Sequence, residues 1–442
     1  MVTRNVIRAV LRRPHRHRPL FQCFVLLVAL HLCAAAAFAQ TTVSFRFWGN
    51  QQTADAMAIL AQDFERENPG IKIELIHSPS GGPDNLVVAV AGGIAPDASM
   101  AHAAYWAPLW EAIQPLDKLI ESFPNLRREN FIAEKWDRNV MFGRLMGLPL
   151  RLTARINVYN KDAFDQAGIA EAPKTWAEIA DYAARLTRYE GDRVARWGFG
   201  ISGGGGINVP PGNFAARNGW RPFEPDFSKQ NYLDPKLVET LEYLNGMVTS
   251  GIAGISQIGH QGTTDIAADR AAMVFQGSWW PLETVLPNNP GLRLGYFAIP
   301  VGPSGAAPYG IVSGEEVIML RSAKDKEATL KFLEYLVYTR NGDYARLAGA
   351  FLPVAWHALR DPYWDTELWR ALIDSFGNDS GILPAVSTTS GSAFTSAIEA
   401  IYRQQKAVTQ ALSEVAELAE ADVRNAQEQL AKLESALRAA GD

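Results

Sequence analysis

The sequence predicts an α/β fold, a parallel sheet covered by helices and closed by a long carboxyl-terminal helix, and three stretches carry that expectation. Val43–Trp48 (VSFRFW) is an aromatic, alternating strand ended by Gly49-Asn50. Thr53 to Asn68 places Ala56, Ile59, Leu60 and Phe64 at helical spacing, Asn68-Pro69-Gly70 stops that helix, and Ile71–Ile76 (IKIELI) is the next strand. Strand, helix, strand is a βαβ unit, which implies a parallel sheet. Near the other end Leu412, Val415, Ala419, Val423, Ala426, Leu430, Leu433 and Leu437 recur every three or four residues. This heptad spacing predicts one long helix whose stripe packs on its own body or on a partner.

The elements between follow in order. Leu86–Ala91 reads as a helix ended by Gly92-Gly93, and Trp106–Ile113 as an amphipathic one. Val140–Pro149 (VMFGRLMGLP) predicts a hairpin turning at Gly143-Arg144. Arg155–Tyr159 is a strand and Asp162–Ala167 a short helix. Thr175 caps a helix over Trp176–Leu186, with Glu178 at the capping-box position. Residues 188–235 read as loop-rich, with Gly203–Gly206 as a mobile loop that lacks the Lys of a phosphate cradle. Leu237–Thr249 is a helix, and Arg270–Phe275 a strand leading to Gly277-Ser278-Trp279-Trp280. Leu292–Ile299 and Glu316–Leu320 are strands, and Ala323–Tyr338 a helix.

With 442 residues, 48% hydrophobic and 20% charged, the chain has the balance of a soluble globular protein, with room for two or three domains of about 150 residues. Its 12 Trp supply stacking surface. Residues 1–39 differ in composition: Arg4, Arg8, Arg12, Arg13, Arg16 and Arg18, no acid, an apolar run over Phe21–Leu30, and a small-x-small exit at Ala37-Phe38-Ala39. This is the pattern of a cleaved signal peptide, and the apolar run is shorter than the ~20 residues of a membrane span. Cys23 and Cys33 both lie in it, so cleavage leaves no disulfide, thiolate metal site or cysteine nucleophile. The remainder has 36 Lys and Arg against 47 Asp and Glu, a net charge of −11 that repels nucleic acid.

Several motifs stand in a fixed order. FRFWGN at 45–50 precedes DFERENPGIKIEL at 63–75 and AGGIAPDASM at 91–100. GRLMGLP at 143–149 leads to INVYNKDAFDQAGI at 156–169 and PKTWAEIADYAARL at 173–186. DRAAMVFQGSWW at 269–280, YFAIPVGPSG at 296–305, SAKDKEATLKFLEYL at 322–336, LPAVSTTSGSAF at 383–394 and VTQALSEVAELA at 408–419 complete the series. In this order, over about 41–420, they resemble the extracellular solute-binding proteins of ABC importers, in the large sugar-binding family that includes maltose-binding protein. Tyr159-Asn160-Lys161-Asp162 ahead of Pro173-x-Thr175-Trp176 is the most specific piece. The chain departs from the family at Arg144 and Met146, where a Gly–Lys pair and a YGLP-like stretch are usual, and at Val158-Tyr159, where the family has two tyrosines.

The resemblance implies a two-lobe periplasmic binding protein fold (type II) with the ligand cleft between the lobes and a long C-terminal helix. Lobe 1 would hold 40–152 and 303–350, lobe 2 would hold 153–302 and 351–424, and 425–442 would extend the last helix. Crossings are implied near Leu152–Asn157, Ile299–Pro303 and Phe351–Val354. The implied function is a periplasmic substrate-binding subunit that captures a sugar or sugar-like solute. Its implied partners are the small-molecule ligand and ABC permease subunits in the inner membrane, with no cofactor and no nucleic acid, and the protein is expected as a monomer.

Sugars present apolar ring faces and polar edges, which aromatic platforms and charged or amide side chains match. The implied cleft positions are Trp48, Asn50 and Gln51 after the first strand, and His102, Tyr105 and Trp106 after Asp97. Arg151 and Arg155 flank the first crossing, and Trp279 matches the family's Trp after a glycine. Glu315 and Glu316 follow the Ser313-Gly314 turn, and Ser390 and Ser392 lie on the last cleft loop. Each has a plainer reading: core Trp for Trp48 and Trp106, a hinge salt bridge for the arginines, a solvated face for one of the glutamates. If both arginines point inward, an acidic sugar or another anion becomes the expected ligand. Two other classes stay open, an exported carbohydrate-active enzyme and a binding protein serving a signalling receptor. A glycosidase needs two carboxylates ~5–9.5 Å apart across a cleft. The sequence shows no HExxH or Walker motif.

Overall fold

The computed structural model describes residues 40–78, 84–102, 106–203, 206–256, 262–305, 314–375 and 389–439. The expected signal peptide, Tyr105, Gly204-Gly205 and the 383–388 part of the last cleft loop lie outside them. The strands that build its two main sheets are β1 (Thr41–Trp48), β2 (Ile71–Ser78), β3 (Ala98–Ala101), β4 (Leu148–Pro149), β5 (Arg155–Asn160), β6 (Arg193–Ile201), β7 (Ala253–Ile255), β8 (Ala271–Gly277), β9 (Leu294–Phe297) and β10 (Glu316–Met319).

The first sheet runs β2-β1-β3-β10-β4. β1 pairs in parallel with β2 from Thr41↔Ile71 to Trp48↔Ser78, and helix Gln51–Glu67 is the crossover between them. Asn50 starts that helix, its side-chain oxygen accepting from the Thr53 N–H at 3.0 Å. Alternation along β1 buries Val43, Phe45 and Phe47. Phe332, from helix Lys326–Glu334, meets Phe45 edge-on at 5.5 Å.

The second sheet runs β7-β6-β8-β5-β9, with β5 antiparallel to both neighbours. One face buries Tyr159, Phe199, Ile201, Met273 and Phe275 with residues of helices Trp176–Leu186, Val209–Arg217 and Pro235–Thr249. Thr175 and Glu178 form the expected reciprocal capping box. The other face sets Ile156, Val158 and Val274 in a core with Leu368 and Leu372 of helix Glu367–Asp374. The loop-rich reading of 188–235 is corrected: Arg188–Glu190 and β6 are strands and Val209–Arg217 is a helix. Gly203, which suggested a loop, is closely packed, since a Cβ on it would lie 2.1 Å from the Ser256 carbonyl oxygen.

Segments far apart in sequence meet around Leu152, Gly314 and Leu352. Leu152 and Leu352 form an antiparallel bridge. Asn341, fully buried, donates to the Leu150 carbonyl at 2.8 Å and accepts from the Val354 N–H at 2.7 Å, so one amide holds both passing segments. The N–H groups of Leu150 and Arg151 both reach the Glu315 carbonyl. Gly314 makes that approach possible: its φ is +113°, and a Cβ there would sit 2.1 Å from the Arg151 carbonyl oxygen. Gly302 and Ser304 remain hydrogen-bonded to Arg217 and Asn218 of the second lobe.

Helix Val408–Ala439 runs unbroken through position 425. Leu412, Val415, Ala416, Ala419, Val423 and Ala426 pack in the second-lobe core. Leu433 instead joins a small cluster with Leu86, Trp106, Leu109 and Ile318 beside the first sheet. From Leu412 to Leu433 the heptad stripe therefore packs on the protein's own body, first in the second-lobe core and then beside the first sheet. Among the described residues no helix is long and apolar enough to cross a membrane.

Candidate functional site

The second lobe presents an aromatic surface and a cation side by side. Register pairs Arg155 with Gly277, so the first residue of β5 lies next to the last residue of β8. Two residues on, the Trp279 indole folds back over Gly277, where a Cβ would come within 2.4 Å of the ring. The Arg155 guanidinium carbon lies 5.4 Å from the centre of that ring. Both side chains are half-buried. At that distance the cation and the ring attract each other, and a guanidinium carries five N–H donors. Arg155 makes no hydrogen bond or ion pair among the described residues. Burial pushes its pKa down from the ordinary guanidinium value.

Arg151, four residues earlier, has the opposite fate. Its guanidinium forms a two-pronged pair with the Glu315 carboxylate, one prong being NH2 to Oε1 at 2.7 Å, and its carbon lies 4.5 Å from the centre of the Phe351 ring. Burial opposes the charge on Arg151, but Glu315 outweighs it and raises the pKa. Burial would likewise raise Glu315, but Arg151 outweighs it and holds that carboxyl at about 2. The hinge salt bridge is thus the outcome for Arg151, and Glu315 is not left to bind hydroxyls.

Glu316 is fully buried and lies 2.8 Å from Lys135 Nζ, itself fully buried. Lys135 also donates to the Gly314 carbonyl at 3.2 Å, and Arg138 approaches Glu316 at 3.8 Å. Burial pushes Lys135 downward in spite of Glu316. Glu316's own burial opposes its charge, but Lys135 and Arg138 overcome it and hold the carboxyl below its ordinary range. His102 is lowered chiefly by burial, which exceeds the opposing pull of Glu316. Glu316 is therefore a structural charge, neither solvated nor open to a ligand.

The other expected site residues divide in the same way. Trp48 ends β1 half-buried, with Arg46 at 5.7 Å from its ring centre. Asn50 is engaged as a helix cap, and exposed Gln51 donates to Asp55 at 2.8 Å. Trp106 is corrected to a core residue, 1% exposed, meeting Trp110 edge-on at 6.2 Å. Ser390 is corrected too: it is fully buried in the first turn of helix Ser390–Tyr402, and its N–H donates to Asp422 at 2.7 Å. The hydroxyl-rich SGS motif reads as a loop by composition, but the Asp422 carboxylate draws it into a helix start. Ser392 is exposed on that helix.

Sequence reasoning missed Lys135, Asn341 and Asn157. Asn157, fully buried, has neither side-chain amide atom hydrogen-bonded and shares a face of β5 with Arg155. Its one signal is an amide within a strand of apolar neighbours. Lys135 and Asn341 carry no local signal, since their partners lie far along the chain. Two hollows of about 560 and 300 Å³ lie elsewhere on the second lobe, beside Lys174 and Arg217 and beside Trp197 and Arg270. No group of three or more potential metal ligands occurs among the described residues.

Residues 49–340 match the family model described as bacterial extracellular solute-binding protein. The chain belongs to that family. This solute-binding protein is 27% identical over 289 residues to a binding protein of Brucella abortus (strain 2308), covering 62% of this chain and 66% of the relative. It is 26% identical over 345 residues to the sn-glycerol-3-phosphate-binding periplasmic protein UgpB of Salmonella typhimurium, covering 72% and 75%. Among solved structures it is similar to the sugar-binding protein MalE of Xanthomonas citri, with a TM-score of 0.71, 23% identity, and 89% and 98% of the two chains covered. The cyclic alpha-maltosyl-1,6-maltose binding protein of Arthrobacter globiformis gives 0.74 at 17% identity, covering 87% and 99%. UgpB of Mycobacterium tuberculosis in complex with glycerophosphocholine gives 0.71 at 17%, covering 85% and 97%. These likenesses show the two-lobe fold.

Proposed function

We propose that this solute-binding protein is the periplasmic substrate-binding subunit of an ABC importer. It captures a sugar or sugar-like solute between its closing lobes and delivers it unaltered to a membrane permease. The observation that carries the reading is the Trp279 indole with its Arg155 neighbour, held beside the hydrogen-bonded passage between the lobes. An indole face suits the C–H face of a sugar ring, and a guanidinium edge suits its oxygens. The relatives' ligands, sn-glycerol 3-phosphate and maltose-type sugars, support a polar, hydroxyl-bearing solute. The lobes are proposed to divide near Leu152–Asn157, Ile299–Pro303 and Phe351–Val354, and to close as a hinge. Closure is driven only by contacts that the ligand gains in the closed state.

A thermal-shift screen of sugars, sugar acids, polyols and glycerol phosphates tests this reading. A ligand at 100 times its dissociation constant stabilises the protein by ~2.7 kcal/mol. The recovered ligand is expected to be chemically unchanged, and deletion of the gene is expected to abolish its uptake. Turnover of the ligand would overturn the reading in favour of an enzyme. Uptake that survives the deletion would point to signalling.

A further inference from the structure

We propose that Arg155 is the specificity residue of this site, and that the ligand carries one anionic group, a phosphate or a carboxylate, on a polyol body. The proposal rests on the solute-binding reading above and names the class of solute.

The argument begins with a contrast of charges. The neighbouring Arg151 and Lys135 are each matched by an acid, Glu315 and Glu316. Arg155 is half-buried and has no acid, hydroxyl or carbonyl partner among the described residues. A guanidinium taken partly out of water without a partner destabilises the protein, so the position makes physical sense when a ligand completes it. Arginine stays charged in such a setting, whereas a lysine would shed its proton readily.

Geometry then narrows the ligand. The Arg155 guanidinium carbon lies 5.4 Å from the centre of the indole, and its N–H donors have no partner among the described residues. Two parallel N–H donors on a guanidinium edge match two oxygens of one carboxylate or phosphate. The anion therefore binds at the rim of the aromatic surface, and the carbon-bearing body lies over the rest of the ring. The ligand is limited to one anionic group, because Arg151 is already paired with Glu315 and Arg155 is the one of these two arginines left for an anion. The absent side chain at Gly277 provides the space that lets the indole lie flat here.

The test is calorimetric titration of matched probe pairs: glycerol 3-phosphate against glycerol, and glucuronate against glucose. Each is titrated into the wild-type protein and into Arg155→Gln and Arg155→Lys, with circular dichroism and melting midpoint checking the fold. The expected result is that one anionic probe binds at least a hundredfold more tightly than its neutral partner. That preference should fall at least tenfold in Arg155→Gln, return in part in Arg155→Lys, and weaken with added salt. Whether glycerol 3-phosphate or glucuronate gains distinguishes phosphate from carboxylate. Neutral probes that bind wild type and Arg155→Gln equally well overturn the anion proposal and leave solute binding standing. No binding by any of the four overturns the anion proposal and leaves solute binding to the wider screen. Should Arg155→Gln fail to fold, the paired wild-type titrations and Arg155→Lys decide the matter.

Discussion

Leu152 and Leu352 exchange both of their backbone hydrogen bonds, at 2.9 Å in one direction and 3.0 Å in the other. The two segments are therefore hydrogen-bonded to each other, and Asn341 bonds to Leu150 and Val354 beside them. Asn341→Ala leaves the Leu150 carbonyl and the Val354 N–H without this partner, at about 1–3 kcal/mol for each buried group left unsatisfied. The expected outcome is a lower denaturant midpoint with an unchanged slope, measured by urea unfolding.

The Lys135–Glu316 pair predicts strong non-additivity. Glu316→Leu alone leaves an ammonium buried without its acid and should cost about 3–5 kcal/mol. Lys135→Met with Glu316→Leu removes both charges and should lie much closer to wild type. Unfolding free energies of the two single variants and the double variant check this. Additive losses would show that the pair is not coupled.

Glu315 should leave its mark in acid. Its carboxyl is held at about 2 in the folded protein, well below its ordinary range. A depressed carboxyl contributes stability that is fully present above the unfolded-state value and is lost as pH falls towards the folded one. Wild type should therefore lose on the order of 3 kcal/mol through this group between about pH 5 and 2. Glu315→Gln lowers stability at neutral pH and should show a shallower fall over the same window. Parallel pH–stability curves for the two proteins would contradict the pairing.

Leu433 ties the last turns of the carboxyl-terminal helix to the first lobe, while residues up to Ala426 belong to the second. Leu433→Asp removes a buried contact worth about 1.5–3 kcal/mol and should free the helix end without unfolding the body. Amide hydrogen exchange is expected to speed up over 428–439 and to stay slow over 408–426. Equal protection of both halves would show that the bridging contact contributes nothing.

Much of the fold was legible because periodicity and capping are local. The crossover Gln51–Glu67, the Thr175–Glu178 capping box and the heptad stripe each depend on residues a few positions apart. The β6 strand and helix Val209–Arg217 were not legible, because the surfaces they pack against, such as Ala183 against Gly198, come from elsewhere in the chain. Of the expected site residues, Trp279 lies against Arg155, whereas Trp106 and Ser390 are buried, one in the core and the other at a helix start.

The amino-acid order by itself determined the family, the run of strands and helices, and the residue types available to a ligand, since all of these are written in short-range pattern. Only the tertiary structure decided which charges are already spent. Arg151 and Arg155 lie one helical turn's length apart in sequence, yet one meets Glu315 and the other meets an indole. Charge pairing depends on distances between residues far apart along the chain, and burial then sets how much each unmatched charge costs.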